Sequence, residues 1–508
     1  MNRILLSAGA LALLSVPALA QSNATGIVYN DRNANGVRDA NEEGIPNVRV
    51  SNQRDVTVTD RDGRYKLPVT DDTILFVVKP RNWSTAVDHD QIPRFYYIHK
   101  PAGSPKQKFP GVAPTGPLPA SVDFPLRRQE EPKRFKALMF GDTQVWDESQ
   151  IALLSREILD ELAETDAAFG MTLGDNTADH PLLFGALARS MATIGIPWHY
   201  ALGNHDENYD GPDDSHSTET FQAAYGPAYY SFDYGPVHFV TLDTVEWMGK
   251  TYRGGIGERQ LAWLKNDLAR CPKGQLLVLA MHIPLSAIQE KADVFKLLED
   301  RPHVVTVTGH EHWMGHHFLG KEAGFNGKTP LHEFINATTC ATFWWGPEDE
   351  QGLPIALMSD GAPNGYSIFT FDGDRYSAEY KVARRPADYQ MSIFAPDSVA
   401  SAETGKTEAL VNVFAGSEKS IVEMRLDGAG SWSPMEKVSR KDPFLERADT
   451  LTPKDTPADK RYPHPMDSPH LWRGLLPANI PAGAHVLNVR TTDMYGQTYN
   501  ARRVIVVN

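Results

Sequence analysis

The chain has 508 residues, which is too long for a single hydrophobic core and indicates two to four domains. Hydrophobic residues make up 41% and charged residues 22% of the chain, so a largely disordered protein is excluded. The formal net charge is −14 and no basic residues cluster, which argues against binding to nucleic acid or to anionic membranes.

The first 20 residues have the pattern of a cleaved secretory signal. Arg3 precedes an apolar run from Ile4 to Val16, and the segment ends in small residues. The alternative is a buried N-terminal helix or a membrane anchor, but the run is shorter than the ~20 residues that span a bilayer. We expect a periplasmic or secreted protein without a membrane span, in which Cys271 and Cys340 are either bridged or free.

Residues 31 to 42, DRNANGVRDANE, match the calcium-loop pattern D-x-[DN]-x-[DN]-G-x5-E. The six ligand positions of such a loop fall on Asp31, Asn33, Asn35, the carbonyl of Val37, Asp39 and Glu42. The flanking segments are short and β-branched, which predicts strands rather than the two helices of an EF-hand. Further along, VTVTDRDGRYKLPV predicts a β-hairpin.

This stretch resembles the calcium-binding B-type repeats of bacterial surface adhesins. The resemblance implies a small β-sandwich in which one calcium ion has a structural role. The alternative is an ordinary turn rich in Asn and Asp. After it, eight prolines between His99 and Arg134 predict an extended connector, either laid over a neighbouring domain or flexible, with a strand at VDFPL.

Strands and helices alternate after residue 133. Short apolar runs, typical of buried strands, occur at 135–140, 167–173, 196–202, 276–281 and 303–308. Helical periodicity appears at 149–164 and 257–270, and a hairpin is predicted around Gly235. The pattern predicts a layered α/β domain.

Side chains with metal-binding chemistry follow each of the five apolar runs, in the motifs GDTQ, GDN, GNHD, His282 and GHEH. Ligands bind beyond the carboxyl ends of strands in α/β sheets, so these five tails can converge on one crevice. Carboxylates, carboxamides and imidazoles bind borderline divalent metals, and there are enough of them here for two ions that share a carboxylate. Each motif alone is weak, since a single Asp after a strand is usually a turn residue or a helix cap.

The motif set resembles the calcineurin-like metallophosphoesterase family over about residues 135 to 380. The resemblance implies a double-layer β sandwich flanked by helices, with two metals at one edge. By position, one metal would be held by Asp142, Gln144, Asp175 and His312, and the other by Asp175, Asn204, His282 and His310. His205 would be the catalytic histidine that binds no metal; the alternative is a third ligand or a structural donor.

Gln144 stands where the family usually has His, which makes the first site less suited to soft metals. Two divalent or trivalent ions are expected, with Mn, Fe, Zn and Mg all open. The resemblance implies hydrolysis of phosphate esters by hydroxide activated on the metals. A phosphodiester or an envelope-linked phosphate is the expected substrate; the alternatives are a phosphomonoester, a pyrophosphate, or a non-catalytic surface protein that binds other molecules.

Aromatic residues near GHEH, namely Trp313, Phe343, Trp344 and Trp345, predict either a substrate pocket or simple lid packing. From residue 384 alternating strands predict an immunoglobulin-like sandwich, interrupted by a long loop at 440–474. In that loop His464, His470 and Trp472 either reach the active site or lie on the surface.

The expected domain layout is a signal peptide at 1–20, a β-sandwich with the calcium-type loop and connector at 21–132, the phosphoesterase domain at 133–383, and the C-terminal β-sandwich at 384–508. The oligomeric state is left open by the sequence.

Overall fold

The computed structural model describes residues 22–427 and 431–508. The predicted secretory signal therefore lies outside the described residues. In the described part of the chain, no helix is long and apolar enough to cross a membrane.

The N-terminal part contains two four-stranded sheets. Their strands are β1 (Ser22–Asn30), β2 (Arg49–Ser51), β3 (Val56–Val58), β4 (Arg64–Val69), β5 (Thr73–Val78), β6 (Trp83–Ser84), β7 (Tyr96–His99) and β8 (Phe124–Arg128). The strand orders are β4-β1-β8-β6 and β3-β2-β5-β7.

The hairpin predicted for VTVTDRDGRYKLPV is wrong. β3 pairs with β2 and β4 pairs with β1, so the intervening turn joins the two sheets instead of two neighbouring strands. Alternation of apolar and polar residues shows that a strand is half-buried but does not identify its partner.

The proline-rich connector is laid over the central domain, as the first of the two alternatives states. Nζ of Lys100 lies 2.6 Å from the buried carboxylate of Glu219, and Nε2 of Gln107 donates to the carbonyl of His216 at 2.7 Å. The strand predicted at VDFPL forms as β8 and pairs in parallel with β1.

The central part is built on two larger sheets. Their strands are β9 (Arg134–Phe140), β10 (Phe169–Thr172), β11 (Trp198–His199), β12 (Tyr230–Tyr234), β13 (Val237–Leu242), β16 (Leu276–Met281), β17 (Val304–Thr308), β18 (Gly315–Leu319), β19 (Leu331–Ile335), β20 (Gly365–Asp372) and β21 (Arg375–Val382). A separate two-stranded sheet is formed by β14 (Val245–Trp247) and β15 (Tyr252–Gly254). The five-stranded sheet has the order β11-β10-β9-β20-β21 and the six-stranded sheet β12-β13-β16-β17-β19-β18.

Five helices accompany these sheets: α1 (Glu148–Leu154), α2 (Phe184–Met191), α3 (Glu219–Tyr225), α4 (Gly257–Leu268) and α5 (Lys291–Leu298). The helix predicted over 149–164 begins as α1, whose first turn is capped by the Asp147 side chain, and ends in π and 3-10 turns. The α/β double-sheet fold is the one expected from the sequence.

The N-terminal sheets share one hydrophobic core with the central domain. The ring of Phe76 lies 6.1 Å from that of Trp263, and the ring of Phe95 lies 5.0 Å from that of Tyr230. A buried ion pair of 2.8 Å joins Arg49 to Asp233 across the same contact. The N-terminal sheets are therefore packed on the central domain through both apolar and charged contacts.

The C-terminal part has its own hydrophobic core. Its elements are β22 (Met391–Phe394), β23 (Ser398–Val399), β24 (Glu408–Val413), β25 (Ile421–Leu426), β26 (Ser433–Pro434), β27 (Glu436–Lys441), α6 (Pro443–Leu451), β28 (Asp467–Leu475), β29 (Gly483–Thr492) and β30 (Thr498–Val507). The two sheets have the orders β22-β24-β28-β27 and β23-β30-β29-β25-β26, which form the expected β-sandwich.

The loop predicted at 440–474 is partly wrong, because it contains α6 and most of β28. Asp442 accepts hydrogen bonds from the backbone N–H groups of Phe444 and Leu445, and Pro443 occupies the first helical position. His470 and Trp472 are buried in β28, whereas the side chain of His464 is exposed.

Candidate metal centre

All seven predicted metal ligands follow the carboxyl ends of strands. Asp142 and Gln144 follow β9, Asp175 follows β10, and Asn204 follows β11 in the five-stranded sheet. His282 follows β16, and the pair His310 and His312 follows β17, in the six-stranded sheet. The parallel strands of each sheet point the same way, so their tails meet at one edge of the double-sheet sandwich.

Three ligand atoms converge on the Nε2 atom of His282. Oδ1 of Asn204 lies 3.0 Å from it, Oδ2 of Asp175 lies 3.2 Å from it, and Nδ1 of His310 lies 3.1 Å from it. The other ring nitrogen of His282, Nδ1, lies 2.9 Å from the carbonyl of Leu173. If Nδ1 donates to that carbonyl, Nε2 presents a lone pair to three further electron-pair donors.

This arrangement fits a cation. One N–H group could satisfy only one of the three neighbouring atoms, whereas a metal ion among them would satisfy all four. Ligand atoms of Asp175, His282 and His310 lie within 4.8 Å of one another. The set is the one predicted for the second metal.

The first predicted site shares Asp175 with the second. Nε2 of Gln144 is 3.3 Å from Oδ2 of Asp175, and Nε2 of His312 is 3.7 Å from Oδ1 of Asp142. Nδ1 of His312 lies 2.6 Å from the carbonyl of Ala341, which leaves Nε2 as the free ligand atom. A half-turn of the Gln144 amide would bring its carbonyl oxygen to the position beside Asp175. The structure therefore brings both predicted ligand sets together around Asp175.

The backbone of these residues is strained. The φ angles are 38° at Asp142, 38° at Gln144, 47° at Asp175, 75° at His310 and 51° at His312. A positive φ costs a residue with a side chain about 1–3 kcal/mol, and such conformations gather at functional sites where the surroundings hold them. Five of the seven predicted ligands have this strained conformation, which supports a shared functional reason for the strain.

Burial and neighbouring charges shift the pKa values of side chains in the centre. Burial opposes protonation of His282, but the carboxylate of Asp175 outweighs it and raises the pKa of the imidazole to about 9. Burial, together with the charge of His282, lowers the pKa of His310 to about 3, which keeps that imidazole neutral as a ligand must be. Burial raises the pKa of Asp142 to about 7 in spite of His282. The centre thus favours positive charge next to Asp175.

His205 stands apart from the predicted ligands. Its backbone N–H donates to Oδ1 of Asp175 at 2.9 Å, and its Nδ1 lies 2.6 Å from Oδ1 of Asp179. Burial lowers the pKa of His205, but the hydrogen bond to Asp179 and the nearby carboxylates raise it to about 9. The pKa of His205 is therefore raised beside the centre, and Asp179 orients its ring.

Asp206 fixes the loops around the centre. Its carboxylate accepts hydrogen bonds from the backbone N–H groups of Asn176, Thr177 and Gly203, at 3.0 Å each, and from Nδ2 of Asn176 at 2.8 Å. These contacts tie the tail of β10 to the tail of β11. Asp206 is thus a support for the ligand loops.

The four aromatic residues predicted for a substrate pocket take different positions. Phe343 and Trp345 are partly exposed, and the ring of Phe343 lies 5.1 Å from that of His312. Trp344 is only 3% exposed and donates from Nε1 to the carbonyl of Thr143, which fits the packing alternative. The ring of Trp313 packs 5.8 Å from His317, with its Nε1 donating to Glu311.

Two residues near the centre were not predicted. Asp179 follows the GDN motif by three residues, and its proximity to His205 depends on the tertiary fold. Trp146 lies two residues after Gln144, and its ring contacts Phe343 at 6.4 Å between centroids. The GDTQ motif follows β9, so the aromatic residue two positions beyond it could have been identified from the sequence as a residue near the centre.

The predicted calcium loop folds around its own carboxylates. Asp31 and Glu42 are buried, and they accept backbone hydrogen bonds from Asn35, Gly36, Arg32 and Asp39. Asp39 accepts hydrogen bonds from the amides of Asn33 and Asn35 at 2.6 and 3.2 Å. Gly36, at the sharp turn, has φ of 71°. The side chains predicted as ligands are thus drawn together, and the nearby guanidinium of Arg127 lies 3.5 Å from Asp31.

The double-sheet fold and the convergent ligand set define a metal-dependent hydrolase. Three family models match the chain in order: the N terminal of calcineurin-like phosphoesterase at residues 32–111, calcineurin-like phosphoesterase at 135–314, and the C terminal of calcineurin-like phosphoesterase at 333–499. Together they cover most of the chain, which belongs to the calcineurin-like phosphoesterase family. The protein is a metal-dependent phosphoesterase that acts on phosphorylated substrates.

Two solved structures are similar over most of the chain but at low scores. One, described as "Structure of PhoD", is 13% identical, covers 73% of this chain and 85% of its own, and has a TM-score of 0.36. The purple acid phosphatase PPD1 isolated from yellow lupin (Lupinus luteus) seeds is 12% identical, covers 72% and 73%, and also has a TM-score of 0.36. No curated protein sequence matches significantly. The family assignment rests on the three family models.

Proposed function

We propose that this protein hydrolyses phosphodiesters at a centre of two metal ions bridged by Asp175. The observation that carries the proposal is the convergence of Asn204, Asp175 and His310 on Nε2 of His282, at 3.0–3.2 Å. The other ion, at the first predicted site, would be held by Asp142, Gln144, Asp175 and His312. Mn, Fe, Zn and Mg all suit this mixture of oxygen and nitrogen ligands.

When bound, the two ions would neutralise charge on the phosphate group and lower the pKa of a coordinated water from 15.7 towards ~7. The protein's own side chains would supply the proton transfer and hold the ligand loops in position. His205 would donate its proton to the oxygen of the departing alcohol, while Asp179 holds the ring in place. Asp206 would keep the loops of Asp175 and Asn204 at a fixed separation.

A diester is favoured over a monoester by the charges around the centre. In the described part of the chain, no Lys or Arg side chain forms a hydrogen bond or ion pair with His205 or a predicted metal ligand. A monoester dianion brings one more negative charge than a diester does, and that charge would lack a fixed cationic partner beyond the metals and His205. A singly charged diester matches this supply of positive charge better.

We also propose that the loop at residues 31–42 binds calcium as a structural brace. The proposal is supported by the buried Asp31 and Glu42 at its first and last ligand positions and by the position of the loop between β1 and β2. Binding to the folded state alone would stabilise the N-terminal sheets. The loop belongs to a different sheet pair from the catalytic residues, so its effect on turnover should be indirect.

The predicted secretory signal supports a periplasmic or secreted location, and the predicted substrates there are envelope-linked phosphates. The test of the proposed function combines metal analysis of the mature protein with turnover of bis(4-nitrophenyl) phosphate and 4-nitrophenyl phosphate, with each metal added back. We expect two metal ions per chain and a higher kcat/KM for the diester. A higher kcat/KM for the monoester would reject the diester assignment and keep the phosphoesterase.

A further inference from the structure

We propose that Trp146, Phe343 and Trp345 form a binding surface for a planar aromatic group on the substrate. We call these three residues the aromatic platform. The inference rests on the proposed function and deepens it, because it assigns a chemical class to one of the two alcohol groups of the diester.

The aromatic platform begins at a predicted metal ligand. The ring centroid of Phe343 lies 5.1 Å from that of His312, and the rings of Trp345 and Trp146 lie 5.1 and 6.4 Å from Phe343. The three rings thus extend from His312 in a connected series. An aromatic ring joined to phosphorus through one or two atoms would reach them from a phosphate group held at the metals.

The aromatic platform is exposed at a cost to the fold. Trp146 has 43% of its surface exposed, which makes it the most exposed of the tryptophans, and Phe343 and Trp345 are partly exposed. Exposure of a large apolar side chain forfeits free energy that burial would supply. Three such rings in contact beside a reaction centre form a concentrated apolar surface of the kind that marks ligand sites.

The backbone turns these rings outward. The φ angles of Ala341, Phe343 and Trp344 are 52°, 62° and 61°, so the chain reverses direction repeatedly. Trp344 points inward and donates to the carbonyl of Thr143, while the carbonyl of Ala341 lies 2.6 Å from Nδ1 of His312. Phe343 therefore faces outward from a loop that is tied to both β9 and His312.

A second tie holds Trp146 to the same loop. Nε2 of Gln150 in α1 donates to the carbonyl of Phe343 at 3.4 Å, and Oε1 of Gln150 accepts the backbone N–H of Trp146 at 2.9 Å. One side chain thus connects the backbones of two platform residues that are almost 200 positions apart. The backbones that carry the two rings are thus held together before a ligand arrives, which reduces the entropy lost on binding.

We expect the aromatic platform to bind a planar aromatic ring more tightly than a saturated ring of similar size. Aromatic rings gain from stacked and edge-to-face contacts beyond the burial of apolar area, whereas a saturated ring of similar size gains from burial only. The Phe343 and Trp146 rings meet at 74° and the Phe343 and Trp345 rings at 56°, so a ligand ring can meet one face and one edge together.

The test uses three phosphinates of equal charge: benzyl(methyl)phosphinate, cyclohexylmethyl(methyl)phosphinate and dimethylphosphinate. Both P–C bonds of these compounds resist hydrolysis and they contain no P–O–C ester bond, so calorimetry on the metal-loaded protein measures binding without turnover. We expect the benzyl compound to bind roughly three- to tenfold more tightly than the cyclohexylmethyl compound. In Trp146→Ala and in Trp345→Ala this ratio should fall towards 1.

Trp432→Ala is the matched control, because Trp432 packs against Arg425 and Arg490 in the C-terminal sandwich, and it should keep the wild-type ratio. A ratio of 1 in the wild type would overturn the proposal, as would a wild-type ratio in both platform variants. Turnover of bis(4-nitrophenyl) phosphate is measured separately. Absent turnover with a normal binding ratio would reject the diesterase and leave the aromatic platform as a binding surface.

Discussion

Nε2 of His470 lies 2.9 Å from Oδ2 of Asp360, where the C-terminal sandwich meets the phosphoesterase domain. Both side chains are fully buried. The same Oδ2 atom accepts the backbone N–H of Met314 at 2.7 Å, two residues after the predicted ligand His312. Nδ1 of His470 lies 2.7 Å from Oδ1 of Asn412, whose Nδ2 donates to Asp442, the cap of α6. His470 therefore does not reach the centre but supports the loop of His312.

We expect His470→Ala to destabilise the protein by about 3–5 kcal/mol, because it leaves Asp360 buried without one of its partners. The variant should also bind the metal at the Asp142 and His312 site more weakly. Chemical denaturation and metal analysis measure the two effects. His485→Ala removes a histidine from an exposed pair with Asp427 and should change neither. Unchanged metal affinity in a destabilised His470→Ala protein would limit the role of His470 to stability.

The pair formed by His205 and Asp179 gives a second prediction. His205→Ala should lower kcat by a factor on the order of 10²–10⁴ with both metals retained, because the protonated ring is lost as a general acid. Asp179→Asn should lower kcat less, since the ring remains but loses its orienting carboxylate. His216→Ala, which breaks a similar pair with Asp213 on the surface, is the control. Loss of metal from His205→Ala would show that His205 is a ligand.

A buried group of four charges predicts how stability depends on pH. His238 lies 2.7 Å from Asp233 and 2.8 Å from Asp267, and Arg49 pairs with the same two carboxylates. Burial lowers the pKa of His238, but Asp267 and Asp233 raise it above its ordinary value. The stability from this histidine is therefore present at low pH and is lost as pH rises through the folded-state pKa.

The contribution of the carboxylates to stability depends on pH in the opposite direction. Burial raises the pKa of Asp233, but Arg49 and His238 lower it to about 2. Its contribution is present above pH 3.8 and is lost as pH falls towards 2. We expect His238→Gln to be less stable than the wild type at pH 5 and the difference to shrink at alkaline pH. Denaturation midpoints measured from pH 4 to 10 test this, and a difference that grows with pH would contradict it.

The sequence was most informative where side chains that can bind metal follow the ends of predicted strands. The convergence of these side chains at one edge could be predicted because five motifs follow five apolar runs, whereas their division into two ligand sets came from the family resemblance and stays a prediction. The partners of β3 and β4 could not be predicted, because alternation of apolar and polar residues fits more than one partner strand. The inward direction of Trp344 and the outward direction of Phe343 depend on positive φ angles that the residue types do not require. Asp179 was missed because its contact with His205 joins separate loops.

The calcium brace gives a fourth prediction. At calcium tenfold above Kd, the linkage RT ln(1 + [Ca]/Kd) is worth about 1.4 kcal/mol, so the melting temperature should rise. Asp31→Ala with Glu42→Ala should abolish the rise and leave the catalytic metals bound. Calcium must reach millimolar concentrations, since extracellular modules bind with Kd of roughly 10⁻⁴–10⁻³ M. Asp62→Ala, at an exposed turn, is the control. Loss of catalysis with unchanged stability in the double variant would make the loop regulatory.

The central claim is that Asp175 bridges two catalytic metals. The most direct test is the metal content of Asp175→Asn and of the wild type, measured with the turnover of bis(4-nitrophenyl) phosphate on the same samples. Asn removes the charge that both ions would share, so we expect two ions per chain in the wild type, and loss of bound metal and of turnover in the variant. Asp213→Asn, on the surface, should behave as the wild type. A folded Asp175→Asn protein with near-normal metal content and turnover would contradict the dinuclear assignment.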